Sequence, residues 1–129
     1  MPTAKDMVVL VVDDQQSMRQ LTRYSLEQLG IRKVTEASDG KDAVSAMQSQ
    51  KFDLIISDWN MDVMDGLELL KHVRADPIFN KTPFIMATGQ NSKAQVKEAI
   101  DAGVNNYIVK PLNGITLKKK IEAVMGPLQ

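Results

Sequence analysis

A chain of 129 residues is enough for one compact domain and too short for two. Its 43% hydrophobic and 25% charged residues are an ordinary globular mix, and the absence of cysteine excludes disulfides, thiolate metal sites and thiol catalysis. Sixteen basic and sixteen acidic side chains cancel, which argues against a nucleic-acid surface, because binding a phosphate backbone needs a concentrated excess of Lys and Arg.

In chain order, the apolar residues 8–12 predict a first strand, far too short to span a bilayer. Asp13 and Asp14 interrupt the run and no small-residue cleavage site follows, so no secretory signal is expected and the cytoplasm is the expected location. Met18, Leu21, Leu26 and Leu29, spaced i, i+3, i+8 and i+11, place an apolar stripe on a first helix that Gly30 stops. Strands are then predicted at 34–37, 54–57, 84–87 and 107–109. Helices are predicted at about 41–48, 66–75, 93–102 (stopped by Gly103) and 115–125 (stopped by Gly126 and Pro127). The strand runs are rich in Val and Ile and do not alternate strictly, as expected of strands buried on both faces. Five strands alternating with five helices predict an α/β fold with right-handed crossovers and a parallel, doubly wound, flavodoxin-like sheet. Without repeats or a Pro- or Gly/Ser-rich stretch, 1–129 reads as a single domain with a core of about 8–125.

Ligands in such folds bind outside the carboxyl ends of the strands. The first strand runs into Asp13 and Asp14, the third into Asp58, the fourth into Thr88 and the fifth into Lys110 and Pro111. With strands about 4.8 Å apart, two carboxylates repel by about 3 kcal/mol at an effective dielectric near 20, so three need positive charge among them. Lys110 supplies one charge and a divalent cation would supply the rest. The ligands are all oxygens, which suits Mg²⁺ better than zinc. Phosphoryl transfer is the chemistry such a site supports, with a carboxylate oxygen as nucleophile. Taken singly, a strand-end Asp is ordinarily a helix cap, a Thr is packing and a Lys before Pro is a loop residue. Five of them on one rim of one sheet argue for a site.

Together these segments resemble the receiver domains of response regulators. The resemblance is carried by Asp13-Asp14 after an apolar strand, Asp58-Trp59-Asn60-Met61 followed by Met64-Asp65-Gly66, Thr88 after an apolar strand, and Tyr107-Ile108-Val109-Lys110-Pro111, at the expected spacing from about Val8 to Val124. The runs 58–61 and 64–70 are similar to the CheY-type chemotaxis branch in particular. The resemblance implies the strand order 2-1-3-4-5, which that branch itself exemplifies. It implies Asp58 as phosphoacceptor and Mg²⁺ held by Asp14, Asp58 and the backbone carbonyl of Asn60, with Asp13 holding a bound water. It further implies that Lys110 pairs with one phosphoryl oxygen, that Thr88 bonds another and that the Lys110–Pro111 peptide is cis. Tyr107 would turn inward as Thr88 moves, and Asn60 and Gln90 would set the lifetime of the acyl phosphate.

The chain departs from the family at Asp62, where a proline is usual, and at Gly89, where alanine or serine is common and glycine is expected to loosen the loop. The family's target-binding face suggests a partner surface of Val96, Ile100, Tyr107 and Lys120. The run Lys118-Lys119-Lys120 reads otherwise as a solvated helix face. Trp59 is expected to be partly exposed and a spectroscopic reporter, and His72 to be exposed without a role.

These residues imply a response regulator of two-component signalling, phosphorylated by a chemotaxis-type histidine kinase. No output domain follows Met125, so the output is expected to be protein binding, with the flagellar motor switch protein as leading target, a phosphatase as a further partner, and the protein a monomer. It would catalyse only its own phosphorylation and dephosphorylation and so is not an enzyme in the turnover sense. A phosphate-sink or phosphorelay receiver is the alternative within the class. An Mg²⁺-dependent aspartyl phosphatase would need an acid two residues after the nucleophile, where this chain has Asn60. A nucleotide-binding module would need a phosphate-cradling loop after the first strand, where Asp13-Asp14-Gln15-Gln16 would repel a phosphate.

Overall fold

The computed structural model describes residues 3–61, 64–89, 93–110 and 113–128. After a short 3₁₀ turn (Ala4–Asp6), strands and helices alternate: β1 (Val8–Val12), α1 (Gln16–Gln28), β2 (Lys33–Ala37), α2 (Gly40–Ser49) and β3 (Leu54–Asp58). There follow α3 (Gly66–Ala75), β4 (Phe84–Thr88), α4 (Lys93–Asp101), β5 (Asn106–Val109) and α5 (Gly114–Met125). All strand pairs are parallel, in the order β2-β1-β3-β4-β5. The boundaries differ from the predicted ones by a residue or two at most. β3 and β4 extend to include Asp58 and Thr88 as their last residues. No helix among the described residues is long and apolar enough to cross a membrane.

Side chains alternate across each strand, and this sorts the apolar residues into two cores. Val9, Val11, Leu54, Ile56, Ile85, Ala87 and Ile108 pack with Leu26 of α1 and with Leu117 and Ile121 of α5. Leu10, Val12, Ile55, Phe84 and Met86 pack on the other face with Ala43 and Met47 of α2, Leu69, Leu70 and Val73 of α3, and Ala99 of α4. Burial on both faces therefore holds for β1, β3 and β4. It fails for β2 and β5, which are edge strands and mostly half-buried.

The helix ends follow local chemistry. Asp39 and Asn113 accept backbone N–H bonds of 2.7 and 2.8 Å from Asp42 and Thr116, and Asp65 with Glu68 forms a reciprocal capping box. Gly30, Gly103 and Gly126, the predicted stops, all have φ near +90°. The stripe expected on α1 is corrected in one place. Leu21 is exposed, and Thr22 and Ser25 are buried instead. At 100° per residue Leu21 lies well away from Leu26, and the intervening arc is filled by the small residues. The Thr22 hydroxyl donates to the Met18 carbonyl at 3.0 Å, which lets a polar side chain sit against the sheet.

Candidate functional site

Sheet register brings the polar strand ends together. Val12 lies opposite Ser57, and Asp58 lies opposite Ala87, so Asp13 and Asp58 emerge at the same height from neighbouring strands, on the face shared with Val11, Ile56 and Ala87. Thr88 lies opposite Val109, and the Lys110 N–H donates to the Thr88 carbonyl at 2.8 Å. From the end of the edge strand β5 the Lys110 side chain reaches past β4 to Asp58 at the end of β3.

One carboxylate oxygen each from Asp13, Asp14 and Asp58 lies within 4.8 Å of the others. Lys110 Nζ sits 3.1 Å from Asp58 Oδ1 and 3.2 Å from Asp13 Oδ2. Asp13 is further held by the Gln15 N–H, which donates to its Oδ1 at 2.9 Å. Asp58, only 6% exposed, has its pKa raised. Burial is the main cause, the bond from Lys110 opposes it, and the charges of Asp13 and Asp14 add to it. Burial pulls the Lys110 ammonium the other way, but the bond and charge of Asp58, with Asp13, outweigh it and its pKa rises. The site is an under-neutralised cluster of oxygens, built to take more positive charge.

Thr88 is buried at the end of β4 on the opposite face. With Trp59, Met86, Val96, Ala99 and Tyr107 it lines a small apolar cavity under α4. Trp59, expected to be partly exposed, is only 8% exposed, because alternation turns it away from Asp58 and beneath α4. Val96, Ile100 and Tyr107 line a shallow groove with Lys93 and Lys97, and Ile100 is 60% exposed there. Lys120 Nζ lies 5.3 Å from the Tyr107 ring centroid. Lys118 instead faces the end of α1 beside Gln28 and Leu29, so the three consecutive lysines do not form one surface. Asn60 and His72 are exposed. At Gly89 an added Cβ would meet nothing within 4 Å. Asp62, Gln90 and Pro111, with its expected cis peptide, lie outside the described residues.

Two residues support the site in ways the sequence did not indicate: Gly66, which appeared only within the family motif, and Arg19. A Cβ on Gly66 would overlap the Asp58 carbonyl oxygen and crowd Met86 Sδ, so only glycine lets α3 start against the end of β3. Arg19 reaches back from the first turn of α1, donating from Nη1 to the Asp13 carbonyl at 2.7 Å and from Nε to Glu36 Oε1 at 3.1 Å. Nothing in the local spacing marks an arginine six residues after Asp13. Its partner Glu36 is on another strand.

The family model for the response regulator receiver domain matches residues 9–122. The chain belongs to the response regulator receiver family. This receiver is 46% identical over 121 residues to the chemotaxis protein CheY1 of Helicobacter pylori, covering 93% of this chain and 98% of that protein. The structure of the chemotaxis protein CheY4 of Vibrio cholerae superposes with a TM-score of 0.86 at 39% identity, covering 92% of the receiver and 99% of CheY4. A sensor histidine kinase receiver domain from Pseudomonas aeruginosa, described with a magnesium ion coordinated in its active-site cleft, matches with a TM-score of 0.84 at 28% identity. That match covers 93% of this chain and 98% of the other. Membership places the receiver in two-component signalling, as a signalling protein and not a classical enzyme.

Proposed function

We propose that Asp58 takes a phosphoryl group from a phosphohistidine of a chemotaxis-type histidine kinase and that the modification switches a protein-binding face controlling the flagellar motor. The observation that carries this reading is the buried Asp58 carboxylate, paired with Lys110 at 3.1 Å and crowded by Asp13 and Asp14. In the transfer, a carboxylate oxygen of Asp58 attacks phosphorus in line. An O–P bond forms as the N–P bond breaks, and its electron pair returns to the imidazole nitrogen. Water attacking the same phosphorus later restores the carboxylate and releases inorganic phosphate, so the receiver catalyses only its own modification.

The oxygen-only donor set fits Mg²⁺. Asp14, Asp58 and the Asn60 carbonyl would hold it directly and Asp13 through water. Bound there, it would supply charge neutralisation to the phosphoryl oxygens. Lys110 would shift its bond from Asp58 to a phosphoryl oxygen, and the Thr88 hydroxyl would bond another. The cavity that Thr88 shares with Tyr107 supports a link from the site to the groove of Val96, Ile100 and Tyr107, with Lys120 beside it. Asn60 and Gln90 would tune the acyl-phosphate lifetime. The partners fitting this reading are the kinase, the motor switch protein and a phosphatase, met by a cytoplasmic monomer.

The test is intact mass after treatment with a small acyl-phosphate donor and Mg²⁺. One phosphoryl adduct is expected, absent without the metal and absent in Asp58→Asn. An adduct surviving that substitution at full level would remove Asp58 from the role.

A further inference from the structure

We infer that Arg19 is a positioning residue for the acidic site, locking the Asp13–Asp14 peptide in the orientation that cation binding requires. The inference rests on the reading of Asp13, Asp14 and Asp58 as a magnesium site. Asp13 is the first residue beyond β1, where ladder bonding ends. Its N–H still donates to the Ala37 carbonyl at 3.1 Å, continuing the pairing with β2. Its carbonyl is taken by Arg19 Nη1 at 2.7 Å, at the short end of the N–H···O range, as suits a charged donor. That carbonyl belongs to the peptide joining Asp13 to Asp14. Turning the plane of this peptide would swing the Cα–Cβ bond of Asp14, the exposed member of the cluster, while Asp13 Oδ1 and Oδ2 stayed tied to Gln15 and Lys110. The guanidinium therefore fixes the stretch of backbone that carries the exposed carboxylate.

Arg19 is itself held. Its Nε donates to Glu36 Oε1 and its side chain is 16% exposed. Glu36 Oε2 accepts from Arg23 Nη1 at 2.9 Å. Alternation on β2 turns Glu36 to the same face as Val34, under α1, which is why a carboxylate on the edge strand can reach both arginines. The planar fork uses two different nitrogens on two acceptors, a geometry lysine cannot copy.

The charge of Arg19 and its geometry act in opposite directions, which makes the role testable. As a mere cation near a cation site, Arg19 would repel the metal, and its removal would tighten binding of every divalent ion. As a positioning residue its removal should weaken Mg²⁺, which needs near-ideal octahedral ligands, and spare Ca²⁺, which tolerates irregular ones. Loss of a group that orients a metal ligand typically lowers affinity by about 10–100-fold.

The experiment is calorimetric titration of the full chain with MgCl₂ and with CaCl₂, comparing wild type, Arg19→Gln, Arg19→Lys, Arg23→Gln and Asp14→Asn. The expected result is that Arg19→Gln binds Mg²⁺ at least about tenfold more weakly with Ca²⁺ unchanged or tighter. Arg19→Lys should fail to restore Mg²⁺, and Arg23→Gln should match wild type. Melting each variant in chelator separates a fold defect from a binding one. If Arg19→Gln does not fold, Arg19→Lys carries the test alone. Unchanged or tighter Mg²⁺ binding in Arg19→Gln, equal weakening of both ions, or full rescue by lysine would overturn the inference while leaving the magnesium site standing. Mg²⁺ binding indifferent to Asp14→Asn would instead overturn the site, and the inference with it.

Discussion

Replacing Asp58 by asparagine should make the receiver more stable while abolishing its phosphorylation. Asp13 and Asp14 oxygens lie within 4.8 Å of an Asp58 oxygen, and each such contact costs about 3.5 kcal/mol at an effective dielectric of 20. Lys110 at 3.1 Å returns about 5 kcal/mol on the same scale. With the hydrogen bond from Lys110 added, attraction and repulsion nearly offset, and the cost of burying the charge, the largest influence on Asp58, leaves its pKa raised. Asp14 is exposed and solvent screens its share, so the net gain for Asp58→Asn is about 1–2 kcal/mol, or about 3–8 °C in melting temperature for a domain of this size. Asparagine still offers Lys110 an acceptor, and Lys110 keeps its 3.2 Å pair with Asp13, so no charge is stranded. The sign with pH follows from linkage. A carboxyl whose pKa is raised by folding penalises the fold in full above that raised value and progressively less down to its ordinary value. The advantage of the Asp58→Asn variant should thus be full at neutral pH, shrink as pH falls through the raised pKa, and vanish near the ordinary value of 3.8. Thermal melts of both proteins in chelator across this range are the assay. Saturating Mg²⁺ should narrow or reverse the difference, because ligand at about 100 times its Kd stabilises wild type by about 2.7 kcal/mol. A variant that melts at or below wild type at neutral pH in chelator would refute this electrostatic account.

Mg²⁺ should quench Trp59 fluorescence, with a sharply weaker apparent affinity in Asp14→Ala, since removing a ligand also removes attracting charge; an unchanged affinity would put the metal elsewhere. Lys110→Ala should still accept a phosphoryl group yet bind the motor-switch target no better than the unmodified protein, measured by titration of the phosphorylated variant; normal phosphorylation-dependent binding would exclude the coupling role. Ile100→Asp and Tyr107→Ala should each weaken target binding by about tenfold or more, the scale of losing about 1.4 kcal/mol at a central contact. Lys120→Glu should lower the association rate and its salt dependence more than it raises the dissociation rate. Wild-type behaviour of all three across a salt series would exclude this face.

Much of the fold was legible because its signals are local. Apolar runs of three to five residues, helical spacing between them and glycine stops, which prove to have positive φ, all act within a few residues of themselves. The site's ingredients were legible for the same reason, since Asp13, Asp58, Thr88 and Lys110 each end or follow a strand. The family pattern contributed the order of the sheet, which periodicity alone leaves open.

What only the tertiary structure decided is what touches what. Lys110 and Asp13 are 97 residues apart in sequence, and their 3.2 Å pairing exists because β1 and β3 are neighbours in register and the lysine side chain reaches both from the end of β5. Period-two alternation says that Trp59 and Asp58 face opposite ways, but not that α4 lies over the indole and buries it. Helical spacing puts Leu21 only at the margin of the apolar stripe of α1. Packing excludes it, because the surface facing the sheet is filled by Leu26, Thr22 and Ser25. Lys118 and Lys120 are two residues apart and chemically identical, yet one lies beside α1 and the other over Tyr107, since a helix turns about 200° between them. Arg19 acquires its role only when β2 brings Glu36 beneath α1 and the Asp13 carbonyl is left beyond the ladder, a juxtaposition of three elements that no local pattern encodes.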